Sequence, residues 1–292
     1  MVDGAIDEHI VFDGITKKYG KTTVLSAVDF RIAAGERVAL LGQNGAGKTT
    51  ALRIALGLAK ADSGTVRVMG VEPHRSEALV RLGYCPQVTS APGVLRVREL
   101  VRMVADLKGA DEPTHLYGRF GISSLLQRQV GALSIGQLRI VITLLAFVGD
   151  PELVVLDEPT AALDSEHKYI IWQHVAEYCQ AGGTLLLASH DFSEVTQLAD
   201  RALLLHRGRL VKDGPVTDIV ALSDVTAVEV VGSIPVDLAG VSRVLNTPTR
   251  TILLTRDPEK VVHGVQREGH RRVLSRQPTL EEVFLTMGDA ES

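Results

Sequence analysis

The sequence predicts an α/β protein whose main layer is a largely parallel β-sheet with helices on both faces. Three observations carry that expectation. Short apolar runs end at Leu41, Leu156 and Ala188, as strands buried on both faces do. Stretches with helical patterning separate these runs. One run, Arg37 to Leu41, leads through a glycine-rich loop straight into the helical stretch Lys48 to Ala59, the strand–turn–helix order of an α/β unit.

The elements follow in chain order. Ile10-Val11-Phe12 and Val28 to Ile32 read as strands of an antiparallel N-terminal part, punctuated by Gly20 and Gly35. Between about Val88 and Gly149 the pattern turns helical, most clearly over Val97 to Leu107, which predicts a helical insert. Leu153 to Leu156, Thr184 to Ala188 and Arg201 to His206 continue the buried strands. The character changes around Asp213-Gly214-Pro215. Beyond about Leu222, Val225 to Val231 and Thr251 to Thr255 read as strands and Thr279 to Met287 as a short amphipathic helix, with Pro278 opening it. The expected organisation is a large domain over 1–220, with its helical subdomain at about 88–149, and a small α/β domain over 221–292.

Composition narrows the function. The chain has 292 residues, 45% hydrophobic and 23% charged, with a formal net charge of -4. That balance fits a globular protein and lacks the basic footprint of a nucleic-acid binder, so no nucleic-acid partner is expected. Cys85 and Cys179 share no metal-binding or disulfide spacing. Met1 to Glu8 is acidic and lacks the apolar core of a signal peptide. The most apolar stretch, Ile140 to Val148, is far short of the roughly 20 residues that cross a bilayer; membrane work would need a second polypeptide.

The chemistry is concentrated in Gly42-Gln43-Asn44-Gly45-Ala46-Gly47-Lys48-Thr49, which has the pattern of a phosphate-binding loop between a strand and a helix. Glycines let backbone N–H groups turn toward phosphate oxygens, and the helix adds its positive end. Lys48 is expected to reach the β- and γ-phosphates and Thr49 to place its hydroxyl on Mg²⁺; Thr50, next on the helix, completes the ATP-binding set. Downstream, the strand Leu153 to Leu156 ends in Asp157 and Glu158. Asp157 is expected to hold Mg²⁺, and Glu158 to polarise an attacking water. The strand Thr184 to Ala188 ends in Ser189-His190-Asp191, where His190 is placed to meet the γ-phosphate and the water near Glu158.

These motifs, in this order from about Ile10 to Gly214, resemble the ATP-binding subunit of ABC transporters, a phosphate-loop NTPase family. The resemblance implies further assignments. Tyr19 in Lys17-Lys18-Tyr19-Gly20 matches the aromatic residue that stacks on adenine. Gln87 in Tyr84-Cys85-Pro86-Gln87 matches the Q-loop glutamine near Mg²⁺. Leu133-Ser134-Ile135-Gly136-Gln137 resembles the signature, which engages the opposite subunit's ATP, and Asp164 in Ala162-Leu163-Asp164 belongs to the D-loop at the dimer interface. His190 matches the switch histidine. By the same resemblance, two nucleotide-binding subunits close head to tail around ATP with Mg²⁺, hydrolysis reopens them, and the helical insert passes the motion to a membrane-spanning permease. The chain would then work as a peripheral subunit on the cytoplasmic face of the cell membrane.

Two features refine the expectation. The signature's usual first glycine is Ile135 here, and the next residues, Gln137-Leu138-Arg139-Ile140-Val141, depart from the family's arginine- and glutamine-rich stretch. A β-branched residue disfavours positive φ and adds bulk beside the phosphate, which predicts a weakened half-site. The ending Gln277-Pro278-Thr279-Leu280-Glu281-Glu282-Val283-Phe284-Leu285 resembles drug and antibiotic exporters of the daunorubicin-resistance type, which favours export of an antibiotic, hydrophobic peptide or lipid-like cargo. The competing readings are an ABC-type ATPase acting on ribosomes or DNA, and a nucleotide-gated regulatory module. The single motif set and absence of a basic patch oppose the first, and Glu158 with His190 opposes the second.

Overall fold

The computed structural model describes residues 7–88, 90–221, 224–232, 238–270 and 272–287. Most of the N-terminal segment judged for a signal peptide, and Leu222 beside the expected domain boundary, lie outside them. The chain divides into two compact units, Met1–Asp213 and Gly214–Ser292.

In the first unit the antiparallel part comes first. β1 (Glu8–Tyr19) pairs with β2 (Thr22–Ala33), and after β3 (Arg37–Gly42) and α1 (Lys48–Ala55) the chain returns as β4 (Ser63–Val68) on the other side of β1. α1 is shorter than the pattern predicts. The Leu56 N–H closes onto Leu52, and Leu58 is exposed, so the residues after Ala55 leave the helix. Next come α2 (Ser76–Arg81), β5 (Leu82–Cys85), α3 (Val97–Lys108), α4 (Thr114–Arg119), α5 (Ile135–Leu145), β6 (Leu153–Asp157), α6 (Ser165–Gln180), β7 (Thr184–Ala188), α7 (Phe192–Leu198), β8 (Arg201–His206) and β9 (Arg209–Pro215). The second sheet runs β5-β6-β7-β3-β8-β9, with parallel pairing from β5 through β8. Central β3, β6 and β7 are buried almost throughout, which is why their sequences are continuous apolar runs rather than alternating ones.

One core joins these parts. Phe12 and Phe30 stack with ring centroids 4.4 Å apart, and with Leu25 they share a buried cluster with Leu40, Leu52, Ile54 and Val155. Thus α1 is held by both sheets, and burying a side chain such as Leu52 contributes roughly 1.5–3 kcal/mol. The helical region is secured separately. Glu112 accepts hydrogen bonds from Arg98, Arg102 and Tyr117, led by Arg98, and is held down to about 2.

The second unit carries α8 (Val216–Ala221), β10 (Thr226–Val231), β11 (Val241–Asn246), β12 (Arg250–Thr255), α9 (Pro258–Arg267), β13 (Val273–Arg276) and α10 (Leu280–Met287). Its antiparallel sheet has the order β11-β12-β10-β13. Val261 and Val265 of α9 pack on Val228, Val230 and Leu253. The tail helix differs from the expectation at its start. Pro278 precedes the helix, and Thr279 caps it: Glu282 N–H donates to Thr279 Oγ1 and Thr279 N–H donates to Glu282 Oε2 at 2.7 Å, a reciprocal capping box.

Candidate nucleotide site

The phosphate loop is shaped by its neighbours. Gly47, at the start of α1, has φ +109, and a Cβ there would lie 2.8 Å from the Val24 carbonyl oxygen and 2.7 Å from Leu25 Cδ2. Only glycine fits. The β8–β9 turn, Arg207-Gly208, closes on the same place. Both residues have positive φ, as a tight two-residue hairpin requires. Gly208 N–H donates to the Ala46 carbonyl at 3.0 Å, and Ser26 N–H donates to the Gly208 carbonyl at 2.8 Å. The loop is therefore pinned between β2 and this turn, while Gln43, Asn44, Gly45 and Thr49 stay exposed. Lys48 is buried. Its ammonium donates to the Gly42 carbonyl at 2.6 Å and sits 3.4 Å from that of Gln43. Burial lowers its pKa, opposed by Glu158 and Asp157.

The parallel register gathers the remaining groups at one sheet edge. Leu40 and Asp157 both stand opposite Ala188, and Cys85 stands opposite Leu156. The loop after β3, Asp157-Glu158 after β6, Ser189-His190 after β7 and Gln87 after β5 thus emerge at the same carboxyl edge, where α/β sheets bind ligands. Glu158 has φ +54, a left-handed backbone held by its N–H donating to the Ala188 carbonyl at 2.8 Å. Its carboxylate meets His190 Nδ1 at 2.6 Å. Asp157 is buried, and burial followed by Glu158 pushes it up to about 6 against Lys48 and Arg139. Its Oδ2 has no hydrogen-bond partner among the described residues. A buried, unpartnered carboxylate oxygen beside a phosphate loop fits a cation, and the hard-oxygen pair Asp157 and Thr49 suits Mg²⁺ shared with phosphates. Among the described residues no cluster of three or more acidic, histidine or cysteine side chains forms a self-sufficient metal cage.

The other assigned residues stand apart from this edge. Ser134 caps α5, accepting from Gln137 N–H at 3.2 Å while Gln137 Oε1 accepts from Ser134 N–H. Ile135 is the first helical residue, is 73% exposed, and is not in the positive-φ region. The expected strain at Ile135 is therefore absent, and only its added bulk distinguishes it from glycine. A Cβ on Gly136 would touch Leu163 at 3.4 Å, so signature and D-loop are neighbours. Asp164 caps α6 through His167 N–H at 2.9 Å. None of Ser134 to Gln137 is hydrogen-bonded to the phosphate loop of its own chain among the described residues. Tyr19 ends β1, half exposed, with Lys17 Nζ 5.4 Å from its ring centre. Its strand pairs with the part of β2 that touches Gly47.

Two buried charges escaped the motif reading. Arg139 of α5 donates to the Pro86 and Gln87 carbonyls. Glu194 of α7 accepts from Trp172 Nε1 at 3.2 Å, and burial raises its carboxyl against the nearby Ser189, Thr160 and Trp172 groups. Each was visible only as a charge within a helical segment, Arg139 in the largely apolar α5 and Glu194 in the mixed α7.

A family model described as ABC transporter matches residues 25–161. Nod factor export ATP-binding protein I of Rhizobium etli is 31% identical over 97% of this chain and 94% of its own length. The protein of the same name from Rhizobium meliloti is 33% identical over 95% of this chain and 87% of its own. A solved ATP-binding subunit of an ABC transporter superposes with a TM-score of 0.68 at 26% identity, covering 73% of this chain and 92% of that one.

Proposed function

Because this chain belongs to the ABC transporter family as an ATP-binding, ATP-hydrolysing subunit of the export kind, we propose that it drives export through a separate membrane-spanning permease by closing in pairs around ATP. The observation that carries the reading is the convergence of the phosphate loop, Asp157, the Glu158–His190 pair and Gln87 at one sheet edge.

In this reading Lys48 exchanges the Gly42 carbonyl for the β- and γ-phosphates, and Gly42 through Thr50 wrap the phosphate chain. Tyr19 stacks on adenine. Thr49, Asp157 and Gln87 would hold Mg²⁺, which would offset phosphate charge. Glu158 orients the attacking water and accepts its proton, and His190 fixes the Glu158 carboxylate. Ser134, Ile135, Gly136 and Gln137 present the N-terminus of α5 to the ATP of a second subunit, and Asp164 lies along the same interface. The second subunit is a copy of this chain or a related one.

No described helix is long and apolar enough to cross a membrane; the separate permease and the peripheral position on its cytoplasmic face belong to the ABC exporter reading. The face of α3 that carries Glu99, Arg102, Met103, Asp106 and Leu107 is offered as the contact on the helical region. The relatives' names support export. The likeness of Gln277 to Leu285 to daunorubicin-resistance exporters supports a lipid-like or antibiotic cargo.

The deciding experiment is phosphate release by the purified chain beside Lys48→Ala and Glu158→Gln. Wild-type turnover should exceed Glu158→Gln by at least about a hundredfold, while Glu158→Gln still binds ATP. Turnover no greater than that of Lys48→Ala would refute the assignment. Recovery of ribosomes or DNA, and no integral membrane protein, on affinity purification would refute the transport role.

A further inference from the structure

Arg139 is a buried cation that the nucleotide chemistry leaves unused. It lies on α5 beyond the Ser134 cap and is 5% exposed. Among the described residues no carboxylate forms an ion pair with it, although Asp157 lies near enough to feel its charge. Instead Nη1 donates to the Pro86 carbonyl at 2.7 Å and Nη2 to the Gln87 carbonyl at 2.5 Å, with Cys85 Sγ 3.9 Å from Nη1. Thr143, one turn on, donates to the Arg139 carbonyl and meets Cys85 Sγ at 3.5 Å. Burying a guanidinium against neutral carbonyls is costly, and an apolar side chain would pack there more cheaply. The geometry gives the reason for the charge. The Pro86 carbonyl belongs to the peptide plane before the Gln87 Cα, and the Gln87 carbonyl to the plane after it. Holding both planes fixes the direction in which the Gln87 side chain leaves the backbone. A planar fork spans two successive carbonyls; an ammonium does not.

We propose that Arg139 is a positioning residue that yokes the Gln87 segment to α5. The helix carrying Ser134 to Gln137 at its N-terminus and the segment aiming Gln87 then move as one body. Engagement of a second subunit's ATP at the start of α5 is thereby transmitted to this chain's own site. The inference rests on the reading of Gln87 as part of the ATP site.

Two measurements on the full-length chain test it. A nitroxide on Val88→Cys, an exposed position beside Gln87, reports order in the segment without nucleotide, since the native cysteines are buried. Arg139→Met and Arg139→Lys should each speed label tumbling at least about twofold; unchanged tumbling overturns the yoke. Arg139→Lys covers the case in which the methionine variant does not fold. In turnover, Arg139→Met and Gln87→Ala should each lower kcat about tenfold with KM for ATP held within about twofold, and the double variant should be no slower than the slower single one. Multiplying losses, or a loss carried by KM, overturn the role through Gln87. If wild type hydrolyses no faster than Lys48→Ala, the ATPase reading fails, while the label still decides the yoke.

Discussion

At Asp157 a single burial sets both stability and function. Its carboxyl is raised from 3.8 to about 6, so the folded state favours the protonated form. The stabilisation this gives is complete below 3.8 and is lost as pH rises through about 6, a penalty on the order of 3 kcal/mol at neutral pH. Asp157→Asn should therefore stabilise the nucleotide-free chain above pH 6 while abolishing Mg²⁺-dependent turnover. Urea melts at pH 5 and pH 8 check this: the advantage of the variant must grow with pH. His174 has the opposite sign. Buried against Phe120 and Phe147 with an unpartnered Nδ1, it falls from 6.5 to about 4. Its contribution is full above 6.5 and disappears as pH falls through about 4. His174→Phe should flatten that part of the acid melting curve. At this scale the motif residues were legible because their chemistry depends on residue type and spacing. Arg139 and Glu194 were not, since a lone charge in a helix ordinarily faces water and only burial reveals otherwise.

Elements were legible where burial was uniform. β3, β6 and β7 read directly from their apolar runs. β4 and β9 did not, because both are largely exposed along their length and carry little apolar signal. β13 is four residues long, too short for periodicity to register. α9 was readable in principle: Asp257 caps it, Pro258 opens it, and Val261 and Val265 fall one turn apart on the buried face. The start of α10 was misread because Pro278 drew attention from the Thr279–Glu282 pair. That pair gives a direct test. Thr279→Ala removes the oxygen that accepts the Glu282 N–H and should cost about 1 kcal/mol, seen as a lower urea midpoint with kcat unchanged.

For the whole molecule, the placement of the signature matters most. Ser134 and Gln137 cap α5, and among the described residues neither is hydrogen-bonded to the phosphate loop of its own chain, which agrees with the proposed site shared between two subunits. Glu158→Gln with ATP should convert the chain to a stable dimer on size-exclusion chromatography, and omission of ATP should return it to monomer. Ile135 adds bulk without backbone strain; on the proposed role of the signature, Ile135→Gly should raise turnover of the assembled dimer by a few-fold, about 1 kcal/mol in the barrier, and unchanged turnover would show that the isoleucine is accommodated. A last consequence concerns the turn at Gly208. A Cβ there would sit 2.4 Å from the Val24 carbonyl oxygen, displacing the strap that holds Ala46. In a saturation screen for ATP affinity, this position should score with the phosphate-loop glycines, although no motif contains it. The mutational footprint of the site would then reach beyond its motifs.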